Sequence, residues 1–234
     1  MSYTTQADLG GLTGFGPVLP EDENQRFHEA WEPAALAIVL AMGATGSWNI
    51  DMSRSARETL PAYRRLSYYR IWLAALEKLM LERGLVHADE LAAGRPLHPP
   101  VPVARVLQAG EVAAALARGS PTVRDPASAP PPLFHVGDRV RTRATAVPHH
   151  TRLPAYARGK VGIIERVHGA HVFADPHAHG LGEQPQPLYT VAFEGSELWG
   201  DEAASGLRVS IDAWQPYLES AMLYTAPAQP EGHG

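Results

Sequence analysis

Apolar positions recur at helical spacing in the first part of the chain and at strand spacing later, and that switch divides it. From Asn24, the residues Phe27, Trp31, Ala34, Ala35, Ile38 and Met42 repeat every three or four positions, with Gly43 as a stop and Pro33 as a kink or restart. Asp51 is placed to cap a short helix running to about Leu60, where Pro61 breaks it. A longer helix is expected from Ala62 to Arg83, turning Tyr69, Trp72, Leu73, Leu76, Leu79 and Met80 inward and ending at Gly84. After Pro132 the period falls to two. Val136, Val140, Val161, Ile163, Val167, Tyr189, Val191, Phe193, Val209 and Ile211 lie in short runs separated by Gly and Pro turns. Five such runs predict a small antiparallel barrel, so the fold class is α+β with helices first and the barrel second.

Two further segments carry neither period. Asp8 to Pro17 has four glycines and reads as an extended arm, which needs a surface to lie on. Pro96 to Pro132 holds nine of the 21 prolines around an Ala-rich helix near Ala104 to Arg118, and reads as a linker. The expected organisation is an arm and helical domain over 1–95, a Pro-rich linker over 96–132, a barrel domain over 133–220 and a tail over 221–234.

Composition removes several function classes. With 234 residues, 45% hydrophobic content and a net charge of −5, the chain is long and apolar enough for a sizeable core. Eighteen of the 20 basic residues are Arg, so no lysine-rich stripe exists to follow a nucleic-acid backbone. The absence of Cys excludes disulfides, zinc ribbons, iron–sulfur ligation and a thiol nucleophile on this chain. The most apolar run, Pro33 to Ala44, falls short of the roughly 20 residues that span a bilayer. No basic residue precedes Arg26 to begin a signal peptide, so the expected localisation is cytoplasmic. Phosphate-binding loops, nucleophile elbows and His-Glu-x-x-His are missing. Gly11-x-x-Gly14-x-Gly16 reverses the dinucleotide spacing and follows no strand.

Three groups remain as candidate chemistry. His168, His171, His177 and His179 fall close together beside Asp175, and His177 with His179 could offer two imidazoles to one metal from an extended segment. Gly169, Pro176 and Gly180 make the stretch a loop, which favours solvated or hydrogen-bonding histidines over a metal site. Arg54 and Arg152 could each grip an oxyanion with a planar fork, Arg152 in a segment pinned by Pro154, although spacing alone reads both as surface ion pairs. Tyr68, Tyr69 and Trp72 could line a pocket, although helical spacing alone reads them as core.

Several stretches, taken in order, resemble one known family. They are Gly10-Gly11-Leu12-Thr13-Gly14-Phe15-Gly16-Pro17, Phe27-His28-Glu29-Ala30-Trp31-Glu32, Thr151-Arg152-Leu153-Pro154-Ala155-Tyr156-Ala157-Arg158-Gly159-Lys160-Val161-Gly162, His179-Gly180-Leu181-Gly182-Glu183, Leu188-Tyr189-Thr190-Val191, Glu197-Leu198-Trp199-Gly200 and Trp214-Gln215-Pro216-Tyr217-Leu218-Glu219. The chain is similar in these to the β subunit of nitrile hydratase.

That resemblance implies an SH3-like barrel in the second half and activity only with an α subunit, as an αβ heterodimer or α2β2 heterotetramer that hydrates small nitriles to amides. In the family the α subunit holds cobalt(III) or iron(III) through cysteines, two of them oxidised to sulfinic and sulfenic acids, and two β-subunit arginines donate to those acids. A cysteine-free chain agrees with that division. By the resemblance Arg54 and Arg152 take the catalytic donor positions. Arg57 competes for the first, because the stretch Arg57 to Pro61 is shorter than the family's by about two residues. Tyr68, Trp72 and the adjacent Tyr69 take the substrate-binding positions, Ile71 replaces a frequent His, and Trp72 leans toward the cobalt type. This chain supplies no metal ligand. The rivals are a thiocyanate hydrolase-type subunit and a non-catalytic metal-loading activator.

Overall fold

The computed structural model describes residues 5–147 and 149–221, so the tail expected over 221–234 lies, apart from Ala221, outside the described residues. Two compact units emerge: Met1–Pro121 with Pro148–His150 and Ala174–Glu183, and Thr122–Val147 with Thr151–Phe173 and Gln184–Gly234.

The first unit is helical. Its first helix, α1, spans Glu32–Ala44 rather than beginning near Asn24. Pro33 sits in the first turn, where its missing N–H costs nothing, and the buried Glu32 carboxylate accepts the backbone N–H groups of His28 at 2.7 Å and Glu29 at 3.4 Å. Phe27 and Trp31 therefore precede the helix they were expected to join.

Helix α2 spans Ile50–Glu58, and its cap is Asn49, whose side chain accepts the Met52 N–H at 2.9 Å. Asp51, expected as the cap, is instead a buried first-turn residue. A single 3-10 turn at Tyr63–Arg65 interrupts the expected long helix, and α3 runs from Tyr68 to Glu82. Trp48, Ala56, Leu60, Ala75, Leu76 and Leu79 form the core between these elements. Helices α4 (Ala88–Ala93) and α5 (Val112–Arg118) follow, α4 ending at Gly94 in the left-handed conformation. The unit also takes in α6, Ala174–Ala178, where a loop was expected; the Asn49 side-chain amide donates to the His177 carbonyl at 2.7 Å.

The second unit is an antiparallel sheet of five strands, β1 (Arg139–Thr142), β2 (Val161–His171), β3 (Gln186–Glu194), β4 (Arg208–Trp214) and β5 (Leu218–Ser220), with the short helix α7 (Gly195–Trp199) after β3. The order is β4-β3-β2-β1-β5. Among the described residues no pairing joins β4 to β5, so the sheet is open and not closed into the expected barrel; the three-residue β5 pairs with β1 alone.

Val140, Ile164, Tyr189, Val191, Phe193 and Ala213 fill the core of this unit. Gly162 is required by close approach. A Cβ there would lie 2.6 Å from Val191 Cγ1 and 2.7 Å from the Ala192 carbonyl oxygen. Val136, expected in the first strand, lies in the turn ahead of β1 and is exposed. No helix among the described residues is long and apolar enough to cross a membrane.

Candidate functional site

In the helical unit, α2 and α3 bring together two arginines and a cluster of aromatic rings. Tyr68 stands edge-on to Tyr69 at 5.2 Å between centroids, Trp72 lies 5.4 Å from Tyr68 and 6.2 Å from Tyr69, and Phe27 completes the group 5.6 Å from Tyr69. Tyr68 is 63% exposed, and Tyr69 and Trp72 are half-buried, so these rings form accessible aromatic surface rather than the closed core their spacing suggested.

The two arginines of α2 are held differently. The Arg57 guanidinium lies over the Trp72 ring, 4.7 Å from its centroid, and donates to the Ser53 carbonyl at 3.1 Å and the Ser53 hydroxyl at 3.3 Å. Burial, with the Arg54 charge second, lowers its pKa. Arg54 is half-exposed, with Nη1 3.5 Å from Asp51 Oδ1. Asp51 itself is buried and takes a hydrogen bond on Oδ2 from His177 Nδ1 at 2.8 Å.

A second histidine group lies in the same unit. His150 is fully buried with Nδ1 3.5 Å from Glu58 Oε2, and its backbone N–H donates to His179 Nε2 at 3.2 Å. His149 stacks edge-on against His179 at 5.9 Å and approaches Asp175 at 3.9 Å. Glu58, His150 and the Asp51–His177 pair were not singled out as a site in the sequence, and their spacing of about a hundred residues or more left no local signal.

Arg152 belongs to the sheet unit. Its backbone N–H donates to the Tyr217 hydroxyl at 3.0 Å, and it projects as an exposed residue between the buried Thr151 and Leu153. A 3-10 turn at Ala155–Ala157, stacking of Tyr156 on Trp199 at 5.9 Å and the bond from Lys160 Nζ to the Glu197 carbonyl at 2.7 Å fix the following backbone. The side chain is thus exposed on a backbone held on both sides.

The four histidines from 168 to 179 do not form one site. His168 and His171 lie on β2, where His168 Nε2 bonds to Thr190 at 2.7 Å and His171 Nδ1 to Thr122 at 3.1 Å, whereas His177 and His179 belong to the helical unit. Burial lowers the pKa of His171. The one group among the described residues whose ligand atoms converge is Asp89, Glu90 and His98. Its Glu90 carboxylate already accepts the backbone N–H groups of His87, Leu97 and His98, so it serves as a helix cap and loop clasp and does not fit a tightly held transition metal.

A helical unit and an antiparallel sheet unit on a cysteine-free chain define an α+β protein that presents guanidinium and aromatic side chains at its surface. Comparison with known proteins makes this particular. The family model for the nitrile hydratase beta subunit, N-terminal, matches residues 3–114, and that for the nitrile hydratase beta subunit, C-terminal, matches residues 122–220. The low-molecular weight cobalt-containing nitrile hydratase subunit beta of Rhodococcus rhodochrous is 38% identical over 219 residues, covering 90% of this chain and 96% of that one. The nitrile hydratase subunit beta of Pseudomonas putida is 36% identical, with 92% and 98% covered. The cobalt-containing subunit beta of Pseudonocardia thermophila is 33% identical, with 91% and 94% covered. The chain belongs to the nitrile hydratase beta subunit family.

Proposed function

We propose that this chain is the β subunit of a nitrile hydratase, a hydro-lyase that joins water to R–C≡N to give R–CO–NH₂ in complex with an α subunit. The observation that carries the reading is the ordered match of both family models, together with relatives of 33–38% identity matched over more than nine-tenths of their length. The arm and the residues just after it add support, since Leu12, Phe15, Val18 and Leu19 are exposed apolar side chains of the kind a permanent partner covers.

The α subunit would hold the metal, cobalt(III) in the favoured reading and iron(III) otherwise, and it supplies Lewis acidity toward the nitrile. This chain's part is to bind and orient. Arg54 and Arg152 donate to the oxidised cysteines of the partner, keeping these buried acids ionised and fixed; without a donor such anions cost several kcal/mol. Tyr68, Tyr69 and Trp72 offer an apolar, aromatic wall to the carbon chain of the nitrile. The SH3-like character that the resemblance implies draws support from β5, which returns through a 3-10 turn at Gln215–Tyr217 to pair with β1 in a sheet that stays open.

Assembly as αβ or α2β2 in the cytoplasm completes this reading. The thiocyanate hydrolase alternative draws on a weaker likeness, 31% identity to the thiocyanate hydrolase subunit alpha of Thiobacillus thioparus over 90 residues, or 38% of this chain. The test is to co-express the chain with its neighbouring α-subunit candidate, then measure metal content and turnover of a small nitrile beside thiocyanate. Amide formation is expected; turnover of thiocyanate alone would transfer the chain to the alternative.

A further inference from the structure

We propose that Asp51 and His177 form a buried positioning pair that fixes the Arg54 guanidinium for its contact with the oxidised cysteines of the partner subunit. The inference rests on the reading of Arg54 as a donor to those cysteines. Asp51 is 4% exposed, and its two carboxylate oxygens are divided between two partners: Oδ2 accepts from His177 Nδ1 at 2.8 Å, and Oδ1 faces Arg54 Nη1 at 3.5 Å.

The division decides how Arg54 is held. A carboxylate with both oxygens available would draw a guanidinium into a two-pronged pair and consume its fork. With Oδ2 engaged by the imidazole, Asp51 meets Nη1 alone, and among the described residues it is the only polar partner of Arg54. The remaining N–H groups of this half-exposed side chain are left for another acceptor. Arg57, the neighbouring cation on α2, does not compete for the carboxylate, being engaged by Ser53 and Trp72.

Asn49 links the parts. The residue that caps α2 with Oδ1 also grips the His177 carbonyl with Nδ2, so the helix start that carries Asp51 and the turn that carries the imidazole are set by one side chain. Asp51 and His177 are 126 positions apart in the chain, and the pair is intrinsic to the helical unit.

The test uses the αβ complex with Asp51→Asn, His177→Ala, His177→Asn, Arg54→Lys and the double variant Asp51→Asn/Arg54→Lys. Asp51→Asn and His177→Ala are expected to lower kcat about tenfold, with KM and metal content within about twofold of wild type. His177→Asn, whose amide can donate where Nδ1 did, restores most of the activity. In the Arg54→Lys background Asp51→Asn adds little, because the two act through one contact.

A purely structural role would instead lower the amount of folded, metal-loaded complex and leave kcat per metal unchanged. Damage from Arg54→Lys beside wild-type kcat in Asp51→Asn and His177→Ala, or full additivity in the double variant, overturns the positioning role and leaves the Arg54 reading intact. A silent Arg54→Lys overturns that reading and the inference with it. If Asp51→Asn fails to fold, the contrast between His177→Ala and His177→Asn decides alone, equal kcat in the two refuting the pair.

Discussion

The guanidinium carbon of Arg57 sits 4.7 Å from the centroid of the Trp72 ring, which ties the start of α3 to the last turn of α2. The contact separates two arginines that the sequence leaves in competition. Arg57→Ala removes a cation–π contact worth roughly 0.5–2 kcal/mol and should lower the melting temperature of the complex. Arg54→Lys should leave melting unchanged and lower turnover at least about tenfold, the loss of one charge-assisted hydrogen bond. Paired calorimetry and nitrile kinetics check both; the reverse pattern would move the donor role to Arg57.

For Arg152 the expected change is in turnover with assembly intact. Arg152→Lys keeps the charge but replaces a planar fork with a flexible ammonium, losing a bond worth about 1.5–3 kcal/mol. At least about a tenfold fall in amide formation should accompany normal co-elution of the two subunits. Unchanged turnover would remove Arg152 from the site.

Gly162→Ala probes the sheet core. The added methyl meets Val191 and the Ala192 carbonyl, and the backbone oxygen cannot rotate away. Overpacking of this kind costs about 1–3 kcal/mol, so the melting temperature should drop while residual folded complex keeps its kcat. Unaltered melting would mean that β2 and β3 separate here at little cost.

Acid should loosen the loop after α4 locally. Backbone N–H groups of Leu97 and His87 hold the Glu90 carboxyl at about 2, against an ordinary 4.5. A depressed folded-state pKa gives stability that is present above 4.5 and lost as pH falls toward 2. Amide protection at Leu97 and His98, taken relative to the intrinsic exchange rate, should therefore fall across that window, and Glu90→Gln should abolish the pH step. Protection independent of pH would show that the clasp does not depend on ionisation.

Periodicity reported what repeats locally and was silent on what meets at a distance. The runs Val161–Val167 and Tyr189–Phe193 were legible as strands, and β2 and β3 form there, but the alternation did not give the inward face: in β2 Gly162 and Ile164 are buried while Ile163 and Val167 are exposed, and β3 is buried on both faces. The start of α1 was not, since Phe27 and Trp31 keep helical spacing while Pro33 and the Glu32 carboxylate set the actual first turn. Gly169, Pro176 and Gly180 suggested a loop, yet the five residues Ala174–Ala178 form a helical turn, with the His177 carbonyl bound by Asn49. Asp51 looked like a cap because caps are local; its histidine partner is not.

The late return of Ala174–Glu183 to the helical unit governs how the chain can be divided. A fragment ending at Pro121 would carry α2 without α6, leaving the Asp51 carboxylate with no imidazole and the Asn49 amide with no carbonyl. The proline-rich stretch invites a cut, but severing it strands a piece of the first unit on the second. Circular permutation at an exposed turn should be tolerated better than bisection within the proline-rich stretch, for it keeps every such piece on one molecule.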